Sequence, residues 1–453
     1  MHIHILGICG TFMAGIAQIA QQKGFQVTGS DENVYPPMST QLEQAGIKLT
    51  AGYDPSQLTP HPDLVVIGNA MKRGNPCVEK VLNDKIPYVS GPQWLAEAVL
   101  HDKIVIAVSG THGKTTTSSI VTWLLESAGK NPGFLIGGVV SNFGISARYT
   151  DSPYFVVEAD EYDSAFFDKR SKFVHYHPTV LLCNNLEFDH ADIFASLSDI
   201  QKQFHHLIRT VPGNGKIIYP SNDTAVIETL EMGCWTPKET FGENNKSDWF
   251  ATNASDDGSS FDVMYHNTSC GRVEWPLLGQ HNVQNALAAL ACAKAIDIEP
   301  NEIIPALAIF QAPARRLQLR GEINGVFVYD DFAHHPTAIH TTIAGLRARV
   351  GKNARIFSVV ELRSYTMRSG YHKDTLAASL EESNAVYLYR SDDLKWDLEP
   401  VVNELSNNTS AFALNTVEDI VKQVTDDVKP GDHILIMSNG GFEGIYGKLL
   451  AAL

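Results

Sequence analysis

The stretch VIAVSGTHGKTTTSSIVTWLLESAG, Val105 to Gly129, decides how this chain is read. Its first residues are a β-branched apolar run of the kind that fills a strand buried on both faces. Gly110 and Gly113 bracket a short turn, Lys114 and Thr115 follow, and apolar residues at 120, 121, 124, 125 and 128 recur at helical spacing. A strand that runs through such a turn into a helix N-terminus aims several backbone N–H groups at one point, which makes an anion nest for phosphates. Lys114 is placed to reach the outer phosphates of ATP, and the Thr115 hydroxyl to ligate Mg²⁺. The usual form of this loop has another glycine five residues before Gly113, where Val108 stands, so this is a variant phosphate loop. The competing reading is a Gly-containing turn with a surface lysine.

Working outward, buried-type strands recur as YFVVEAD (154–160), TVLLCNN (179–185) and GKIIYPSND (215–223), with enough chain between them for crossover connections. These predict a parallel sheet. Between Thr240 and Leu278 the composition turns polar, and the short runs FDVMYH and GRVEWPL predict a small antiparallel appendage before the helix NVQNALAALACAKAI. Upstream, HIHILG, GIAQIAQQKG, FQVTGSD and DLVVIGNA read as strand, helix, strand and strand. Downstream, GVFVYDDFA, ARIFSVVEL, AVYLYRSDD and HILIMSNGG read as strands with helices between them. The expected fold is α/β in three domains. A Rossmann-like domain covers 1–100, a central phosphate-loop domain with a parallel sheet covers 101–312, and a second Rossmann-like α/β domain covers 313–453.

Bulk properties narrow the function. The chain has 453 residues and a formal charge of −16, which repels nucleic acid and anionic lipid. Its six cysteines form no CxxC pair, so neither a disulfide framework nor a zinc site is expected. No apolar stretch approaches the ~18 residues of a membrane span, and the N-terminus has no signal-peptide pattern. A cytoplasmic protein is expected, and either a monomer or a dimer is compatible with the sequence.

Polar residues collect where strands end, the edge at which parallel sheets bind ligands. Glu158, Asp160, Glu161 and Asp163 follow one strand, and a carboxylate there would hold the Mg²⁺ that bridges ATP to a second substrate. Asp189, His190 and Asp192 follow the next. His190 could position a substrate oxygen or accept a proton, and a capping Asp beside a hydrogen-bonded His is the plainer alternative. In the third block Asp330, Asp331, His334 and His335 follow one strand, Glu361 and Arg363 another, and Ser438 to Gly441 a third. Arg315 and Arg316 suit phosphate or carboxylate recognition. At the N-terminus, Gly7, Gly10 and Gly15 space a strand-to-helix turn, and Asp31 stands where dinucleotide folds carry a ribose-binding acid. Cys9 occupies a position where that fingerprint needs glycine, so the signal indicates a nucleotide-like ligand and disfavours NAD. A non-catalytic nucleotide-binding regulator would not need the acidic and histidine clusters.

Taken together, GTHGKTTT, EADEYDSAF, NNLEFDHAD, GQHNVQNALAA, and ARR followed by YDDFAHHPT resemble the Mur ligases, which join amino acids or peptides to UDP-N-acetylmuramate. The motifs occur in the family's order and span most of the chain from Gly110 onward. Within the family, ICGTFMAGIA, SDENVYPPMST, FFDKRSKFVHY and GDHILIMSNGGFEGIYGKLL are most similar to the members that recycle murein peptide. The runner-up is the member that adds L-alanine. The resemblance implies an ATP-dependent ligase making an amide through an acyl phosphate, with Mg²⁺ as cofactor. It implies catalytic roles for Lys114, Glu158 and His190, with Thr115, Glu158 and His190 at metal. ATP would be bound by Gly110, Thr111, His112, Gly113, Lys114, Thr115, Thr116, His281, Asn282, Asn285, Arg315, Arg316 and Asp331. UDP-N-acetylmuramate would meet Gly7, Gly10, Thr11, Asp31 and Asn69, and the tripeptide His335, Arg363, Ser364, Met367 and Asn439. One segment departs from the family's EPRSNTM: Glu361 to Met367 reads ELRSYTM, with Leu362 and Tyr365 in place of Pro and Asn.

Overall fold

The structure is a computed structural model that describes residues 1–34, 38–406 and 409–453. Tyr35, Pro36 and Pro37 of the quoted SDENVYPPMST segment lie outside the described residues.

The first unit is a five-stranded parallel sheet of β1 (His2–Leu6), β2 (Gln26–Asp31), β3 (Lys48–Ala51), β4 (Leu64–Ile67) and β5 (Tyr88–Ser90), in the order β3-β2-β1-β4-β5. The helix Thr11–Gln22 is apolar along one side and packs Met13 to Ala20 into the core. β3 and β5 are short edge strands that the hydrophobic pattern did not announce.

The middle unit is one sheet of ten strands. Its parallel centre contains β6 (Ile104–Ser109), β7 (Gly133–Val140) and β9 (Tyr154–Glu158), with β8 (Ile145–Arg148) antiparallel at one edge. A separate hairpin of β10 (Asp163–Ala165) and β11 (Asp168–Ser171) follows β9. The sheet continues through β12 (Val180–Cys183), β13 (Lys216–Pro220), β14 (Lys238–Gly242) and β15 (Trp249–Thr252), and ends in the antiparallel β16 (Ser260–Tyr265) and β17 (Thr268–Glu274). The antiparallel pair expected as an appendage is thus a continuation of the main sheet. β15 pairs with β14 on one side and β16 on the other, and buried Trp249 and Phe261 tie the extension into the core under the helix Gln280–Lys294.

The C-terminal unit has six strands, β18 (Gln318–Ile323), β19 (Val326–Asp331), β20 (Ile356–Glu361), β21 (Ala385–Tyr389), β22 (Ser410–Leu414) and β23 (His433–Met437), in the order β18-β19-β23-β20-β21-β22. All pairings but β18 with β19 are parallel. Each face of this sheet carries its own apolar cluster. The first and middle units each have a cluster of their own and share a third, in which Ile16 and Ile19 of the first helix join Leu135 and Ala147 of the middle sheet. Gly15 makes that contact possible, because a Cβ there would stand 2.2 Å from Leu135 Cδ1. The third glycine of the N-terminal turn is therefore a packing residue.

Candidate functional site

β6 ends at Ser109, whose hydroxyl donates to Leu182 O on β12 at 2.8 Å, and the chain turns through Gly110 to Gly113 into the helix Lys114–Ser127. The turn is pinned to the residues that leave β12. Thr111 N–H donates to Asn185 O (3.1 Å) and His112 N–H to Asn185 Oδ1 (2.7 Å), while the Asn184 and Asn185 amides both donate to His112 O. This closeness dictates glycine. Gly110 has φ +135 and its Cβ would meet Asn185 N at 3.0 Å; Gly113 has φ +78 and its Cβ would meet Asn184 Nδ2 at 2.5 Å. Val108, where the usual loop has glycine, is a fully buried residue of β6 in register with Leu182 and Glu158. The turn begins only at Gly110, so no glycine is needed at 108.

Lys114 curls back over the loop. Its Nζ donates to Gly110 O at 2.6 Å and stands 3.0 Å from Glu161 Oε2. Burial alone would lower this ammonium, but Glu161, Asp160 and Glu158 outweigh it and hold it above its ordinary value. Thr115 donates to Glu158 Oε1 at 3.2 Å, and Gly137 N–H donates to Glu158 Oε2 at 2.8 Å. Burial pushes Glu158 up. Thr116 lies buried in the first turn of the helix.

His190 meets the other oxygen of Glu161, Nε2 to Oε1 at 2.9 Å. Burial opposes the charge on the imidazole, yet the Glu161 hydrogen bond wins and raises it. Asp160 pairs with buried Lys172 at 2.7 Å. Glu161 therefore bridges Lys114 and His190, a role the sequence reading did not single out within the acidic run. Asp160, Glu161 and His190 bring their ligand atoms within 4.8 Å of one another, and so do His112, Glu187 and His335.

The second group joins two units. Glu187 Oε2 lies 2.9 Å from His112 Nε2 and 3.4 Å from His335 Nδ1, and its Oε1 accepts the Thr337 hydroxyl at 3.0 Å. His335 Nδ1 also accepts Thr337 N–H at 3.3 Å, so its lone pair is engaged in capping the helix Pro336–Val350. Its buried Nε2 has no partner among the described residues. His372 donates from Nε2 to Phe188 O at 3.2 Å, and His334 Nδ1 lies 2.9 Å from Phe332 O. Asn184, Asn185, Glu187 and His372 were all missed as site residues; the segment NNLEFDHAD was quoted, but only its Asp and His were weighed.

At the start of the helix Gln280–Lys294, Asn285 Oδ1 accepts from Asn184 Nδ2 at 3.1 Å and its amide donates to Asn282 Oδ1 at 3.0 Å. This seats His281, Asn282 and Asn285 beside the loop. Burial and the nearby Arg316 push His281 down to about 4. Arg315 and Arg316 both lie over the Phe332 ring at 5.3 Å. Arg315 is engaged within its own unit by Asp330 (3.2 Å) and Ser438 O (2.6 Å). Buried Asp331 accepts Leu317 N–H at 2.6 Å and Ala333 N–H at 2.7 Å, so it organises the turn that carries both arginines.

In the first unit, Gly7 N–H donates to Ser30 O at 2.8 Å and Cys9 N–H to Asp31 Oδ2 at 2.9 Å, which folds the loop against the end of β2. Gly10 precedes Thr11 at the start of the helix, and half-buried Asn69 follows β4. In the C-terminal unit, exposed Arg363 lies against Gly440, whose Cβ would fall 2.3 Å from Nη1. Ser364 caps the helix Tyr365–Arg368 by accepting Met367 N–H at 3.2 Å. Met367 packs its side chain into the core, as does Leu362, whereas Tyr365 is exposed. Asn439 Oδ1 is buried without a partner among the described residues.

Known proteins share this arrangement along the whole chain. Residues 2–103 match the Mur ligase family catalytic domain, 108–293 the Mur ligase middle domain, and 315–440 the Mur ligase glutamate ligase domain. The UDP-N-acetylmuramate–L-alanyl-γ-D-glutamyl-meso-2,6-diaminoheptandioate ligase of Escherichia coli is 55% identical, over 100% of this chain and 98% of that protein. The chain belongs to the Mur ligase family. Among solved structures, a murein peptide ligase from Psychrobacter arcticus is 47% identical and superposes with a TM-score of 0.75 over 100% of this chain and 98% of that one. A UDP-N-acetylmuramate–L-alanine ligase from Acetivibrio thermocellus is 32% identical, covering 97% of this chain and 93% of its own length. This Mur ligase is an α/β enzyme that forms a C–N bond at the expense of ATP. None of its described helices is long and apolar enough to cross a membrane.

Proposed function

We propose that this Mur ligase joins L-alanyl-γ-D-glutamyl-meso-diaminopimelate to UDP-N-acetylmuramate in murein recycling, in the cytoplasm. One observation carries the reading of the site: the phosphate loop, the acidic end of β9 and the C-terminal unit all converge on the turn Asn184 to Ala191. The choice of tripeptide over L-alanine is supported by 55% identity to the Escherichia coli peptide ligase, against 32% to the Acetivibrio thermocellus alanine ligase.

A carboxylate is a poor electrophile, so amide formation requires its activation as an acyl phosphate. Lys114 and the loop N–H groups would hold the phosphates of ATP in line with the sugar carboxylate, since phosphoryl transfer is catalysed mainly by positioning and charge neutralisation. Thr115 and Glu158 offer the oxygen donors that suit Mg²⁺, and His190 a nitrogen beside Glu161. The bound cation would neutralise charge on the transferring phosphoryl group. The peptide amine then attacks the acyl phosphate and phosphate leaves. His281, Asn282 and Asn285 would face the nucleoside, with Arg316 beside them, and Arg315 and Asp331 would shape the covering turn.

We assign the UDP-sugar to Gly7, Gly10, Thr11, Asp31 and Asn69 in the domain ending near 100, and ATP to the domain ending near 312. The peptide falls to the remainder of the chain, where His335, Arg363, Ser364, Met367 and Asn439 form or support its site. The exposed Arg363 guanidinium would meet its carboxylates, and the buried polar atoms of His335 and Asn439, which lack a partner among the described residues, would be reached only if the surrounding side chains shift. Phosphate release from ATP with UDP-N-acetylmuramate, comparing L-alanine with the tripeptide as acceptor, tests this assignment. Turnover with L-alanine alone would overturn it.

A further inference from the structure

His190 sits at φ +56, in the left-handed region that non-glycine residues adopt uncommonly. The turn around it is held both by its neighbour Asp189 and by a residue of a different unit of the chain. Asp189 Oδ1 accepts His190 N–H at 2.7 Å and the Thr366 hydroxyl at 2.7 Å, and Thr366 Oγ1 in turn accepts Ala191 N–H at 3.2 Å. One hydroxyl thus grips the chain on both sides of His190, once as donor and once as acceptor. Asp189 and Thr366 are 5% and 1% exposed, so water does not replace either bond. Thr366 is itself fixed, because Ser364 caps the short helix that carries it.

We infer that Thr366 is a positioning residue for the ligase reaction, setting the turn that presents His190 to Glu161 and the phosphate loop. The inference rests on the reading above of His190 as an active-site group. Its consequence is specific. Thr366 belongs to the same ELRSYTM segment as Arg363, so the segment proposed to hold the peptide also shapes the turn that faces ATP. A continuous polar path runs from Thr366 through Asp189, His190 and Glu161 to Lys114. Docking of the C-terminal unit and alignment of His190 become one event, which ties activation of the sugar carboxylate to the presence of the acceptor site.

The test is steady-state kinetics of the full chain with ATP, UDP-N-acetylmuramate and the tripeptide for Thr366→Val, Thr366→Ser, Asp189→Asn and His190→Ala. Valine keeps the shape and deletes the hydroxyl. It is expected to lower kcat ~100-fold, the scale of a small misplacement of a catalytic group, with each KM held within about threefold. Serine restores the hydroxyl and is expected to return kcat to within about threefold of the parent. Asp189→Asn removes the charge from the other partner and is expected to show the same split, so the inference stays testable if the valine protein fails to fold. Parental kcat in the valine variant alongside an inactive His190→Ala would overturn the positioning role and leave the active-site reading intact. Full activity in His190→Ala would overturn that reading itself. A serine variant as slow as the valine one would also overturn the inference.

Discussion

Lys114 Nζ and Glu161 Oε2 lie 3.0 Å apart, and Glu161 is 2% exposed, so the cation at the start of the helix is held by a carboxylate with almost no access to water. The pair keeps the lysine charged and folded back over its own loop. Removing it should abolish the first chemical step without disturbing the first unit. Lys114→Ala is expected to cut phosphate release ~1000-fold or more, the range seen when a cation on a transferring phosphoryl group is lost. Calorimetric binding of UDP-N-acetylmuramate should remain near parental, and full activity would sink the assignment of the loop.

Gly113 is constrained twice, by φ +78 and by Asn184 and Asn285 behind it. Gly113→Ala is therefore expected to destabilise the protein by ~2 kcal/mol or more, combining left-handed strain with overpacking. It should also raise the KM for ATP, because the loop must shift off Asn184. Urea denaturation and ATP titration read the two effects; a variant with parental stability would refute the packing account.

Glu187 gathers His112, His335 and Thr337 into one contact between the middle and C-terminal units. Glu187→Ala should loosen the C-terminal unit without melting it. Hydrogen exchange is expected to accelerate at 110–113 and 332–337 while the interior of β20 keeps its protection. Unchanged exchange at both segments would show that the contact does not hold the units together.

His4, almost fully buried beside Thr28 and Ser30, is pushed down to about 4 by burial, with His2 adding to the effect. Its proton is bound more weakly in the folded chain than in the unfolded one. The contribution of His4 is complete above about pH 6.5 and is expected to fall as the pH drops toward the folded value, a span worth about 3 kcal/mol. His4→Gln should flatten that loss, measured as the difference in urea midpoint between about pH 7 and about pH 5. An equal loss in the variant would place the acid sensitivity elsewhere.

Several central strands were readable because strands buried on both faces are written as unbroken apolar runs, as VIAVSG and VLLCNN show, although the interior strands β7 and β14 were not read. The edge strands β3, β5, β18 and β22 were not, since an edge needs only half of that signal. For β18 the chain did carry a usable one. Asn324 and Gly325 both have positive φ and join Ile323 directly to Val326, the turn an Asn-Gly pair favours. The small antiparallel pair was recognised but detached from its sheet, because β15 lies in a polar stretch whose Trp249 gives little local hint of burial.

At the site, the strand-to-helix turn at Gly110 to Gly113 and the strand-end acids were legible from local order alone. The division of labour between Glu158 and Glu161 was not, since it depends on how the chain turns after β9. Contacts such as His112 with His335, or Asp189 with Thr366, join residues far apart in sequence and exist only through the docking of two units. Met367 shows the opposite case: a residue assigned to the peptide by motif turns its side chain into the core.

The cluster that runs from Ile16 and Ile19 to Leu135 and Ala147 makes the first two units a single cooperative block, while the C-terminal sheet keeps a core of its own. The proposed sugar and nucleotide sites would thereby share one melting body, and the proposed peptide site would lie on another. Heating the ligand-free enzyme should unfold the first two sheets together and the C-terminal sheet in a transition of its own.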